Sequence, residues 1–103
     1  MSEHIALTET TYYILLSLYR PLHGYGIMQR AAELSGGRVR LAAGTLYGAL
    51  NALVDKGWIV LLPVEGRKKE YRLTPDGEKI LKNELERLRE LVASGDMVLK
   101  EEA

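Results

Sequence analysis

The chain has 103 residues, 47% hydrophobic and 27% charged, which fits one folded domain rather than a disordered chain. It has no cysteine, which excludes disulfides, thiolate metal sites and cysteine nucleophiles. Its fourteen basic and fourteen acidic side chains cancel, and the apolar runs at 12–18 and 58–64 are too short to cross a bilayer, so no membrane partner is expected.

The start MSEHIALTE lacks a basic stretch followed by an apolar core, so it does not read as a signal peptide and a cytoplasmic location is expected. Residues 8–19 predict a first helix, with Thr8 as its N-cap and Pro21 as its stop. Gly24-Tyr25-Gly26 opens a second helix to about Leu34, and Ser35-Gly36-Gly37 ends it. Val39-Arg40-Leu41 alternates like a very short strand. Residues 43–56 predict a third helix whose Leu46, Leu50, Leu53 and Val54 share a face, with Gly57 just past its end. Residues 58–64 and 69–74 predict two strands joined by a turn at Val64-Glu65-Gly66-Arg67-Lys68. Thr74 then caps a last helix, with Pro75 in its first position and Gly95 at its end. The predicted fold class is mainly α with a small β-hairpin wing: a winged helix-turn-helix over residues 1–74, then a dimerisation helix and tail over 75–103.

Charge is unevenly spread along this order. Residues 1–37 carry two basic and three acidic side chains, residues 38–74 seven and three, and residues 75–103 five and eight. The middle segment is therefore net positive by four, and a polyanion is attracted there. Its third helix begins Ala43-Gly44-Thr45-Leu46-Tyr47. The first turn of a groove-bound helix meets the bases, Ala43 and Gly44 allow close approach, and Thr45 and Tyr47 offer hydroxyls. Leu46 suits the core instead. The same residues also make an ordinary helix start. At the hairpin tip Arg67, Lys68 and Lys69 form three adjacent cations, which a phosphate backbone neutralises and which also protect an exposed strand edge. Tyr25, Arg38 and Arg40 are further candidates for phosphate contact, or plain surface groups.

On the last helix Leu81, Leu85, Leu88 and Val92 are spaced four, three and four, a heptad-like seam that Ile80 and Leu91 widen. The seam can pack on the first helix, on a second copy of the chain, or on both. Tyr12 and Leu15 of the first helix join Leu81, Leu85, Leu88 and Val92 as expected dimer contacts. Glu78–Lys82, Lys82–Glu86 and Glu84–Arg87 have the spacing of ion pairs on a solvated face.

Three groups of residues, in this order, resemble the PadR-like family of winged-helix regulators. The first is Tyr13-Ile14-Leu15-Leu16 with Pro21-Leu22-His23-Gly24-Tyr25-Gly26-Ile27. The second is Gly44-Thr45-Leu46-Tyr47 with Ala49, Leu50, Leu53 and Gly57-Trp58-Ile59. The third is Arg67-Lys68-Lys69-Glu70-Tyr71-Arg72-Leu73-Thr74-Pro75-Asp76-Gly77. The resemblance implies a homodimeric repressor that binds double-stranded DNA, pairs through its last helix and is released by an aromatic or drug-like effector near the dimer axis. It also implies the compact subgroup with one C-terminal helix. Two departures stand out. Ala42 and Ala43 occupy the place of a capping serine or threonine, at a cost of about 1 kcal/mol. No aromatic residue follows Tyr71, which removes a stacking platform from the last helix.

An enzyme is not expected. The only histidines are His4 and His23, no nucleophile–base–acid set is apparent, and ligands for a metal are too few. Gly24-Tyr25-Gly26 lacks the third glycine and the preceding strand of a dinucleotide fingerprint, so no cofactor is expected. The alternative to a DNA-binding regulator is a winged-helix dimer that binds another protein.

Overall fold

A computed structural model describes residues 6–63, 66 and 69–101. Helix α1 spans Glu9–Ser17, and the Thr8 hydroxyl caps it by accepting the Thr11 amide at 3.1 Å. Its Ile14 and Leu15, with Leu18 beyond, are fully buried. After Pro21 the chain forms strand β1, Leu22–His23, and then helix α2, Gly24–Leu34. Gly36 and Gly37 carry positive φ, and the Gly37 amide donates to the Ala32 carbonyl at 2.8 Å, closing α2.

The alternation at Val39-Arg40-Leu41 does not produce a strand. The Val39 amide donates instead to the Ser35 hydroxyl at 2.9 Å and the Val39 side chain is buried, so a side chain supplies what a neighbouring strand would have. The third strand of the sheet is β1, formed by two residues between the predicted first and second helices.

Helix α3 spans Ala43–Asp55 and buries Leu46, Leu50 and Leu53, while Val54 stays partly exposed. Gly57 follows it with φ +77°, a left-handed turn only glycine adopts cheaply, and the Trp58 amide returns to the Leu53 carbonyl at 3.1 Å. Strands β2, Ile59–Leu61, and β3, Glu70–Leu73, pair antiparallel with Ile59 opposite Leu73 and Leu61 opposite Tyr71. On the other side of β3, Leu22 lies opposite Tyr71 and His23 opposite Glu70, giving the order β1-β3-β2. The strands are shorter than the sequence pattern predicts. Of the turn residues, Val64, Glu65, Arg67 and Lys68 lie outside the described residues.

Thr74 makes the corner between sheet and last helix. Its amide donates to the Trp58 carbonyl at 3.0 Å, and its hydroxyl donates to the Gly57 carbonyl at 2.6 Å and accepts the Gly77 amide at 3.1 Å. Helix α4 then runs Pro75–Glu101, 27 residues or about 40 Å. Gly95 does not end it. A glycine in a helix interior costs only about 1 kcal/mol, and helix-compatible residues continue on both sides.

One cluster of Ile14, Leu15, Leu18, Ile27, Leu46, Leu50, Leu53, Ile59, Tyr71 and Leu81 joins all four helices to the sheet. Beneath it lies a charged group. Glu84 is 2% exposed, and Arg87 donates to its two carboxylate oxygens at 2.6 and 2.9 Å. The Leu7 amide donates to the same carboxylate at 2.8 Å. The Glu84–Arg87 spacing thus serves a buried group rather than a solvated face, because a buried carboxylate is tolerated only when hydrogen-bonded and paired. Glu78 and Lys82 do pair at the surface, at 3.0 Å.

Candidate nucleic-acid interface

The start of α3 is bare. Ala42 stands at the N-cap and offers no side-chain hydrogen bond, and Ala43, Gly44 and Thr45 are exposed. The first amides of a helix have no partners within it, so this end presents donors and the positive end of the helix dipole outward. A Cβ built at Gly44 meets no heavy atom within 4 Å. The same holds at Gly48, one turn on and on the same face, so no contact among the described residues requires either glycine. Sequence reading passed over Gly48, although its spacing of four from Gly44 is the signal for a shared face. Leu46 is fully buried and fastens this turn to the core.

Tyr47 has a double position. It is 46% exposed, yet its hydroxyl lies against Gly24, where a Cβ would overlap it. It also neighbours Tyr71, whose phenol is pushed above its ordinary value by burial and, secondarily, by Tyr47. Tyr47 therefore braces the start of α2 against α3 while leaving part of its ring in solvent.

Tyr25, in the first turn of α2, is exposed and stands edge-on to His23, with ring centroids 6.5 Å apart. The His23–Glu70 pairing sets this turn beside the root of the hairpin, where Lys69 is exposed. Arg67 and Lys68 lie outside the described residues. Arg38 is drawn toward α1 by an exposed ion pair with Glu9 at 3.1 Å. Arg40 is exposed with its guanidinium beside Gly37. The two arginines of the 38–42 segment thus differ, one engaged within the chain and one not, among the described residues.

The expected dimer contacts also divide. Leu15 and Leu81 are buried in the chain's own core, which leaves them almost no surface for a second copy, contrary to their expected place among the dimer contacts. Heptad spacing does not distinguish a stripe facing its own domain from one facing a partner. Tyr12 is half-buried, and burial raises its phenol above the ordinary value. Leu88 is half-buried and Leu85 and Val92 are exposed, Val92 to 62%. Leu91, Met97, Val98 and Leu99 continue the exposed apolar surface, Leu99 to 71%. Among the described residues no helix is long and apolar enough to cross a membrane, and no group of three or more His, Asp or Glu side chains could hold a metal ion.

The family model of the PadR-like transcriptional regulators matches residues 12–83. An uncharacterised 37.1 kDa protein of a Streptomyces fradiae transposon is 42% identical over 64 residues, which is 62% of this chain and 18% of that protein. This chain therefore spans only a small part of the length of that curated relative. Bacillus subtilis PadR, solved in complex with operator DNA, is 31% identical with a TM-score of 0.63, over 73% of this chain and 45% of that one. A PadR-family regulator of Clostridium difficile reaches a TM-score of 0.76 at 23% identity, over 89% and 99% of the two chains, a likeness of fold. Among the described residues, four helices, the last of them long, and a three-stranded antiparallel sheet make this a winged-helix fold, and the chain belongs to the PadR-like family of transcriptional regulators.

Proposed function

We propose that the chain is a cytoplasmic, homodimeric repressor that binds a palindromic DNA operator and is released by a small-molecule effector. Residues 1–74 form the DNA-binding unit and residues 75–103 the dimerisation helix and tail. The observation that carries this reading is the uncapped, uncrowded start of α3, with Gly44 and Gly48 on one open face. Such a face admits a duplex to backbone distance, with unpartnered amides and Thr45 turned toward phosphates and base edges. Tyr25, Arg38, Arg40 and the ring edge of Tyr47 flank it, and Arg67, Lys68 and Lys69 add the cationic wing. The operator complex of the Bacillus relative supports the same mode here.

Dimerisation is supported by the exposed apolar surface of α4. Leu85, Leu88 and Val92, with Tyr12 from α1, are the contacts proposed, and burying them would contribute roughly 1.5–3 kcal/mol per side chain. A two-fold pair places two recognition helices about 34 Å apart on one duplex face, as a palindrome requires. Occupying the operator then blocks access to it. For the effector, the proposed seam itself, where Leu85, Leu88, Val92 and Ala93 lie beside Arg89 and Asp96, favours an aliphatic or drug-like body held between the two copies over one that needs a stacking partner.

Two measurements test this reading. Replacing Arg67, Lys68 and Lys69 together by alanine should lower affinity for duplex DNA and flatten its salt dependence, by a log–log slope of about 0.9 per lost phosphate contact. An unchanged slope, or no duplex binding by the parent in dilute salt, points to a protein-binding module instead. Leu85→Glu with Leu88→Glu should give folded monomers in sedimentation, and a variant that stays dimeric refutes the proposed seam.

A further inference from the structure

The segment 1–37 holds only two basic side chains, Arg20 and Arg30, and both line the same cleft. It lies between the end of α1, strand β1 and the outer face of α2, and encloses about 490 Å³, within the range of small-molecule sites. Leu16 and Leu22 supply apolar wall and Tyr19 a ring. Two cations 10 residues apart in an otherwise acidic segment repel each other when brought to one cleft, and a shared anion relieves that repulsion.

Neither guanidinium is committed elsewhere. Among the described residues Arg20 makes no ion pair, and Arg30 reaches only Glu33, at 3.4 Å with both side chains largely exposed. A pair of that kind is worth little in water and is readily exchanged. Guanidinium groups match phosphate oxygens by paired N–H donors, and two of them balance the near-double negative charge of a phosphate monoester at neutral pH.

We propose that the cleft between α1 and α2 binds a small phosphate monoester, its phosphate held by Arg20 and Arg30 and its apolar body lying against Leu16 and Leu22. The site is separate from the open face of α3 and from the α4 trough. Its occupant would also touch Tyr19, whose hydroxyl donates to Glu78 of α4 at 2.9 Å, so the ligand sits beside a link between the first and last helices.

Calorimetric titration of the full chain with phenyl phosphate tests this, with inorganic phosphate and phenol as partial probes. Phenyl phosphate should bind at least about tenfold more tightly than either, and Arg20→Gln or Arg30→Gln should each weaken it by about tenfold or more. Both arginines are exposed, so the melting temperature of each variant should match the parent. DNA affinity without phenyl phosphate should not change. Absence of saturable binding, or full binding by the double variant, overturns the proposal. Equal affinity for inorganic phosphate overturns the monoester assignment. Loss of DNA affinity in the variants, with a flatter salt dependence, assigns the arginines to the DNA backbone and also overturns it.

Discussion

The corner between the sheet and α4 and the first turns of α3 both contain glycine, for opposite reasons. At the corner, Gly77 is buried against the Trp58 carbonyl, and a Cβ there would overlap that oxygen. Thr74 ties the same corner with three hydrogen bonds. In the first turns of α3, Gly44 and Gly48 face open space and no side chain caps the helix. The corner is explained by the chain's own packing. The start of α3 gives up helix propensity and a cap without a compensating contact among the described residues, which fits the proposal that a duplex approaches it from outside. A local rule broken without internal compensation is where function is to be sought.

Three substitutions break or sharpen this contrast. Gly77→Ala should be the most damaging to folding, destabilising by about 3 kcal/mol because the clash is with backbone that cannot rotate away; thermal melting measures it. A loss under about 1 kcal/mol would mean that the corner relaxes freely. Gly44→Leu should act the other way, leaving stability unchanged or raised by up to about 1 kcal/mol while duplex affinity falls about tenfold or more. If binding survives, the open face is not where the duplex lies. The smallest effect is expected from Ala42→Ser, a gain of about 1 kcal/mol as the serine caps α3. No gain would indicate that the free amides are already satisfied by water.

Signals carried by neighbours in sequence were legible. Thr8 and Thr74 cap the helices they precede, Gly57 turns the chain after α3, and α2 begins and ends on its glycines. What escaped was decided at long range. Leu22–His23 became a strand because β3 offered a free edge, and Val39–Leu41 did not because Ser35 reached the Val39 amide first. Glu84 falls three residues after Leu81, on the inner face, and that position, more than its charge, told where it would go. The open face of α3 was read through Ala43 and Gly44. That Tyr47 also braces Gly24 was not readable, since the contact joins two helices whose crossing no periodicity describes.

The clamp at Glu84 has a mechanical consequence. It fixes α4 to Leu7, and the 17 residues beyond Glu84 extend as an arm of about 25 Å. A tilt of about 10° at this fulcrum swings the tip of the arm by about 4.5 Å. In the two-fold pair proposed above, such a swing in each copy would alter the distance between the two α3 helices, so the buried Glu84 carboxylate of each copy would bear on how the pair fits a duplex.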